Sequence, residues 1–184
     1  VSVAGTTELG MIDPVDEVNA VLQRYREQQG LHIWHHVDAA YGGYLCSTLH
    51  GDPSGCPLSD RVTRALKALK HANSITLDPH KLGFIPYACG AFLVPDATSY
   101  SVSSINAPYL EKAKNVQFPS WSTTLEGSRA ATGASAVWLS AKVMPLTSEG
   151  HGAFLNQSMR VARLVHHYLS KGPQQIRLLP IGDT

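Results

Sequence analysis

Long apolar runs are missing from this chain. No stretch approaches the roughly 18 consecutive apolar residues that a membrane-spanning helix needs, so no membrane partner is expected. Charge is scarce as well: Asp, Glu, Lys and Arg make up 16% of 184 residues, and 15 basic against 14 acidic side chains leave a net charge of +1. A balance that close supplies neither the basic stripe that holds nucleic acid nor an acidic tail. Nine histidines add positive charge only below about pH 6.5. Cysteine is limited to Cys46, Cys56 and Cys89. An odd number without a CxxC pair indicates neither a disulfide framework nor a zinc site, and a reducing cytoplasm is the expected compartment. The opening Val1-Ser-Val-Ala4 reads as a strand rather than as a secretory leader. The apolar fraction of 43% is enough for one ordinary domain with its own core.

Strand and helix signals alternate along the chain. Val1 to Ala4 reads as a strand, followed by the turn Gly5-Thr6-Thr7. Asp13-Pro14 opens a helix, with Asp13 as N-cap and Pro14 at the first position. Its apolar stripe is Val15, Val18, Val21 and Leu22, and it ends near Gly30. Leu31 to Val37 is the next strand, which predicts a right-handed crossover between parallel strands. Tyr44 to Pro57 reads as irregular, with Gly51, Pro53, Gly55 and Pro57 as breakers. Ser59-Asp60 caps an amphipathic helix to about Lys70, with Val62, Ala65, Leu66 and Leu69 inward and its Lys and Arg on a solvated face. Ser74 to Leu77 is a short buried strand, closed by Pro79, which has no N–H for a ladder. Gly90 to Pro95 reads as an antiparallel return strand. The Ser-rich stretch Ser99 to Lys112 packs little apolar surface and is expected to be mobile. Helices are expected over Ala130 to Leu146 and Gly150 to Lys171.

Two strand ends carry the candidate chemistry. His80 and Lys81 follow the strand Ser74 to Leu77, at the lip of a sheet where α/β folds bind ligands. Lysine is seldom placed by an apolar strand without a partner. Upstream, Ile33-Trp-His-His-Val-Asp-Ala-Ala-Tyr-Gly-Gly43 is a second strand that ends in Asp38, followed by residues too small to block a flat ligand. His35 and His36 point to opposite faces of that strand and cannot chelate one metal together. A strand-end Lys and a strand-end Asp suit pyridoxal 5'-phosphate. The lysine amine condenses with the aldehyde as a Schiff base, and the carboxylate keeps the ring nitrogen protonated so that the ring accepts electrons.

His36-Val-Asp-Ala-Ala40 with Asp78-Pro-His-Lys81 resembles the pyridoxal-phosphate-dependent amino-acid decarboxylases, the group of the glutamate, aromatic amino-acid and tyrosine enzymes. The resemblance implies an α/β fold: part of the large cofactor-binding domain of the aspartate-aminotransferase (type I) fold, a mostly parallel sheet flanked by helices. It implies a large-domain portion over residues 1–150 and, over 151–184, a connecting helix and the start of a small C-terminal domain. The phosphate cup and the residue that stacks on the ring are then expected before Val1. Lys81, Tyr109 and Asp38 are the implied catalytic residues. Lys81, Asp38, Ala40, Thr7, His80 and Ser74 are the implied cofactor contacts, with Thr7 near the ring nitrogen, Ala40 against one ring face and His80 near the phosphate. Tyr109, 28 positions after Lys81, matches a loop tyrosine that resembling enzymes place over the ring of the neighbouring subunit, which implies a homodimer with a shared site. Ser128 and Arg129 resemble a turn at that interface. Asp78 departs from the Asn of the animal aromatic enzymes and receives no phosphate contact.

The implied reaction is α-decarboxylation of an L-amino acid. Asp78 to Gly90, Glu126 to Arg129 and Ala136 to Leu139 look most like bacterial tyrosine decarboxylases, which favours an aromatic substrate. Three alternatives stay open: a glutamate or aspartate decarboxylase, a carbon–carbon lyase of the sphingosine-phosphate lyase type, and an inactive dimerising subunit.

Overall fold

Val37 and Ala39 alternate with His36 and Asp38 along one strand, and that period of two decides which side of the sheet is covered. The computed structural model describes residues 1–96, 98–100 and 129–172. Strands β1 (Ser2–Val3), β2 (His36–Asp38), β3 (Ser74–Leu77) and β4 (Ala91–Leu93) form one sheet in that order. The first three are mutually parallel and β4 runs antiparallel to β3, as the return strand predicts. Helix α1 (Val15–Gln29) joins β1 to β2, and α2 (Asp60–Ala68) lies between β2 and β3. The expected mixed α/β architecture with a mostly parallel sheet is what the chain forms.

The core lies between the sheet and these two helices. Val37 and Ala39 are fully buried there with Ala4, Val15, Val62, Ala65, Leu66 and Leu69. Burial of this order stabilises by about 1.5–3 kcal/mol for each large aliphatic side chain. In α2 the Ser59 Oγ accepts the Val62 N–H at 3.3 Å, the expected cap. Arg64, Lys67 and Lys70 face solvent. Gly30 ends α1 in the left-handed conformation, φ +67°, with its N–H on the Arg26 carbonyl.

Three local expectations are corrected. Pro14, not Asp13, holds the N-cap position of α1; the Asp13 carboxylate instead accepts the Val3 N–H at 2.7 Å. Val3 lies on an edge strand, so its N–H has no ladder partner on that side and the nearby carboxylate satisfies it. The second strand starts at His36 rather than Leu31, because its neighbours offer pairing only from Ser2 and Ser74 onward. Residues Gly42–Leu49 form a 3-10 helix where irregular chain was expected. Ser47 and Thr48 hydroxyls bond back to the Tyr44 and Leu45 carbonyls at 2.7 Å, and the breaking residues begin only at Gly51.

Helices α3 (Thr132–Val143) and α4 (His151–Ser170) follow the expected positions. The first two turns of α4 pack on the 3-10 helix, with His151, Gly152 and Leu155 buried. Further along, Arg160 donates to the Gly55 carbonyl at 2.8 Å and Arg163 to the Pro57 carbonyl. No helix among the described residues is long and apolar enough to cross a membrane.

Burial lowers the pKa of His35 and of His151 below the ordinary 6.5. The unfolded chain therefore takes up protons first as pH falls. Their contribution to stability is complete above about pH 6.5 and is lost as pH drops from there through the lowered folded values. Denaturant midpoints are expected to fall between pH 7.5 and pH 5, with a shallower fall in His35→Gln.

Candidate active site

The C-terminal ends of β1, β2 and β3 meet at one edge of the sheet. Backbone bonds carry the pairing beyond the strands: Ala4 N–H to Asp38 O at 2.8 Å, Ala39 N–H to Thr76 O at 3.0 Å and Asp78 N–H to Ala40 O at 3.2 Å. Asp38 closes β2 on the face away from the core, with Thr76 as its register neighbour on β3. It is exposed, and its Oδ1 accepts the Ala40 N–H at 3.1 Å. Among the described residues no side chain pairs with this carboxylate. Ala40 is half-buried beside it. Behind them, Gly42 lies against β1 so closely that a Cβ there would stand 2.5 Å from the Ala4 carbonyl oxygen.

Lys81 is carried by a tight turn. Its N–H bonds to the Asp78 carbonyl at 3.0 Å, and the Ile85 N–H bonds to the Pro79 carbonyl at 3.0 Å. Its Nζ lies 2.9 Å from Asp78 Oδ2, with the lysine side chain 35% exposed. His80 Nε2 is 3.6 Å from the same oxygen. The His80 ring is fixed from the other side by the Cys89 carbonyl, 2.5 Å from Nδ1, and by Tyr87, at 4.2 Å between ring centroids. Sequence reasoning left Asp78 without a role; the structure makes it the partner of Lys81. The spacing of three across a proline turn was the available signal. An ion pair this accessible is worth up to about 1 kcal/mol.

The remaining candidates are distributed differently. Thr7 is exposed in the turn after β1, at the same edge. Ser74 opens β3 at the opposite end from Lys81, buried, with its Oγ shared by Trp34 Nε1 at 2.9 Å and His36 Nδ1 at 2.8 Å. His36 also reaches Thr76 Oγ1 at 3.0 Å, whereas His35 turns to Ser2 and Asn19. The two histidines do point apart. His36 was missed as part of the polar row that runs along the face of Asp38, although its spacing of two from Asp38 places it there. Arg129 is exposed. Tyr109, Ser128 and nearly all of Ser99 to Lys112 lie outside the described residues. Among those described, no group of three His, Cys, Asp or Glu side chains could hold a metal. Burial pushes the Cys46 thiol up to about 11, so it is no nucleophile at neutral pH.

The model of the pyridoxal-dependent decarboxylase conserved domain matches residues 1–177. The chain belongs to this family. Among its relatives, the L-tyrosine decarboxylase of Enterococcus faecium is 31% identical over 93% of this chain and 31% of that protein. The L-aspartate decarboxylase of Thermococcus kodakarensis is 32% identical over 94% of this chain and 40% of that protein. The chain thus spans about a third of the length of the decarboxylases it matches. The glutamate decarboxylase structure from Lactobacillus brevis CGMCC 1306 superimposes with a TM-score of 0.69 at 20% identity, over 92% of this chain and 35% of that one, which shows the shared type I fold.

The donor set at the strand ends fits the cofactor of the pyridoxal-dependent decarboxylase family. A primary amine matches an aldehyde, and an exposed carboxylate matches a protonated ring nitrogen. That edge depends on the close approach at Gly42. Gly42→Ala must push the β1 end from the β2 loop and is expected to cost about 1–3 kcal/mol, read as a lowered denaturation midpoint.

Proposed function

We propose that the complete protein removes the α-carboxylate of an L-amino acid as carbon dioxide and releases the amine, with an aromatic substrate such as tyrosine favoured. The observation that carries this reading is the placement of Lys81 and Asp38 at the ends of adjacent parallel strands in a chain of this family. When bound, pyridoxal phosphate supplies the aldehyde and the electron-accepting ring. Lys81 is the residue that would hold it, through its side-chain amine. Asp38 keeps the proton on the ring nitrogen, a fixed electrostatic contribution of about 3–4 kcal/mol if it resembles a removed oxyanion-hole donor. Ala40 lines one ring face, Thr7 lies near Asp38, and His80, held by Cys89 and Tyr87, lies towards the phosphate. Ser74 acts at a distance, its hydroxyl ordering His36, which in turn reaches Thr76 along the face that ends in Asp38. Asp78, 2.9 Å from the Lys81 amine, holds that side chain in place at the strand end. Tyr109 delivers a proton from its hydroxyl to the α-carbon.

The same reading divides the chain into a large-domain portion, 1–150, and a connector, 151–184, and places the protein in the cytoplasm as a homodimer with a shared site. Exposed apolar side chains on α3 and α4, among them Trp138, Val143, Phe154 and Val165, support a protein partner for those helices. An acidic substrate is the second reading, favoured by the relative named as an L-aspartate decarboxylase.

Mass spectrometry of products from L-tyrosine, L-aspartate and L-glutamate tests the reaction: an amine with carbon dioxide is expected, fastest from tyrosine, and an aldehyde product would instead mark a carbon–carbon lyase. Lys81→Ala is expected to abolish turnover and leave the cofactor removable by dialysis; a borohydride-reducible adduct persisting in that variant refutes the lysine assignment. Tyr109→Phe is expected to bind substrate but lower the amine yield by about 10²-fold or more, the usual worth of a general acid. An unchanged yield removes Tyr109 from the reaction.

A further inference from the structure

His151 is a buried titratable side chain that the proposed reaction does not use. It is 1% exposed, at the first position of α4. Two segments converge on it. Tyr44 and Ser47 come from the 3-10 helix that trails Asp38, and Leu82 and Phe84 from the turn that trails Lys81. The ring lies 5.2 Å from the Tyr44 ring and 5.4 Å from the Phe84 ring, centroid to centroid. Nδ1 is 3.1 Å from Ser47 Oγ.

The hydrogen bonds assign the tautomer. Ser47 has one hydroxyl proton, and its 2.7 Å contact to the Tyr44 carbonyl takes it. Ser47 Oγ therefore accepts, and His151 Nδ1–H donates. Nε2 is buried, and no hydrogen-bond partner reaches it among the described residues. The Leu82 carbonyl is close enough to favour a proton on the ring, yet burial dominates and lowers the pKa. The helix N-terminus also disfavours an imidazolium here. The ring is neutral, with its plane set by Ser47.

The turn it supports has little slack. Phe84 holds φ +58°, a left-handed conformation that costs a phenylalanine and persists only where its surroundings enforce it. A Cβ on Gly83 would stand 2.5 Å from the Pro79 carbonyl oxygen and 2.6 Å from Tyr44 Cζ. Leu82 to Phe84, directly after Lys81, are thus seated on Tyr44 and His151.

We propose that His151 is a positioning residue: locked by Ser47, its ring spans the helix behind Asp38 and the turn behind Lys81 and sets the spacing of the pair. A displacement of about 1 Å at a reacting group is enough to slow chemistry about 10²-fold. The inference rests on the proposed function and deepens it.

The test is the rate at which the complete, cofactor-free protein captures added pyridoxal phosphate at Lys81, trapped with borohydride in the absence of substrate. Ser47→Ala and His151→Phe are each expected to melt cooperatively and to capture about ten-fold more slowly. Because both remove one bond, the double variant is expected to be no slower than the slower single one. Capture at the wild-type rate in the single variants, or multiplied slowing in the double, overturns the proposal. If His151→Phe does not fold, His151→Asn, which keeps a donor at the Nδ1 position, is expected within about three-fold of wild type; capture as slow as in Ser47→Ala overturns it. A wild-type protein that traps no cofactor at Lys81 overturns the proposed function and this inference with it.

Discussion

Parallel pairing of β2 with β3 is the constraint on which the site depends. Parallel strands present their C-terminal ends at one edge, so Asp38, closing β2, and the turn that carries Lys81 emerge on the same side of the sheet. Antiparallel pairing of these two strands would send them to opposite edges. Bonds from Ala39 to Thr76 and from Asp78 to Ala40 carry the pairing past the last strand residues, and Pro79 then stops it.

The pleat divides the labour of the two faces. Val37 and Ala39 fix the core against α1 and α2, which leaves His36 and Asp38 on the other face with Ser74 and Thr76. Along that face His36 bridges Ser74 and Thr76, a row of satisfied polar groups leading towards Asp38. Satisfied networks of this kind hold side chains in one arrangement more firmly than isolated bonds do. The glycine at position 42 serves the same edge differently, by bringing two backbones into direct contact where a side chain would part them.

Element types were largely legible in the sequence, because their signals are local. Ser59 before an apolar stripe, Gly30 after one and Pro79 after a strand act within a few residues. The family motifs around Asp38 and Lys81 are equally short, and their family is the one that residues 1–177 match. The 3-10 helix at Gly42–Leu49 escaped notice because side-chain bonds from Ser47 and Thr48 to the preceding turn build it, without apolar periodicity. The strand at Leu31 was overextended because apolar alternation gives no information on where neighbouring strands begin.

By itself, then, the sequence determined the alternation of strands and helices, the strand-end lysine and aspartate, and the chemistry that such a pair suits. Only the tertiary structure decided that the Asp13 carboxylate would serve an edge-strand N–H, that Asp78 would pair with Lys81, and that His151 would wedge between two segments of the site. The physical reason is reach. Strand, turn and cap signals come from neighbours a few residues away, whereas the bond from His151 to Ser47 joins positions 104 apart. Such a bond exists only once the sheet, the 3-10 helix and α4 have been packed together.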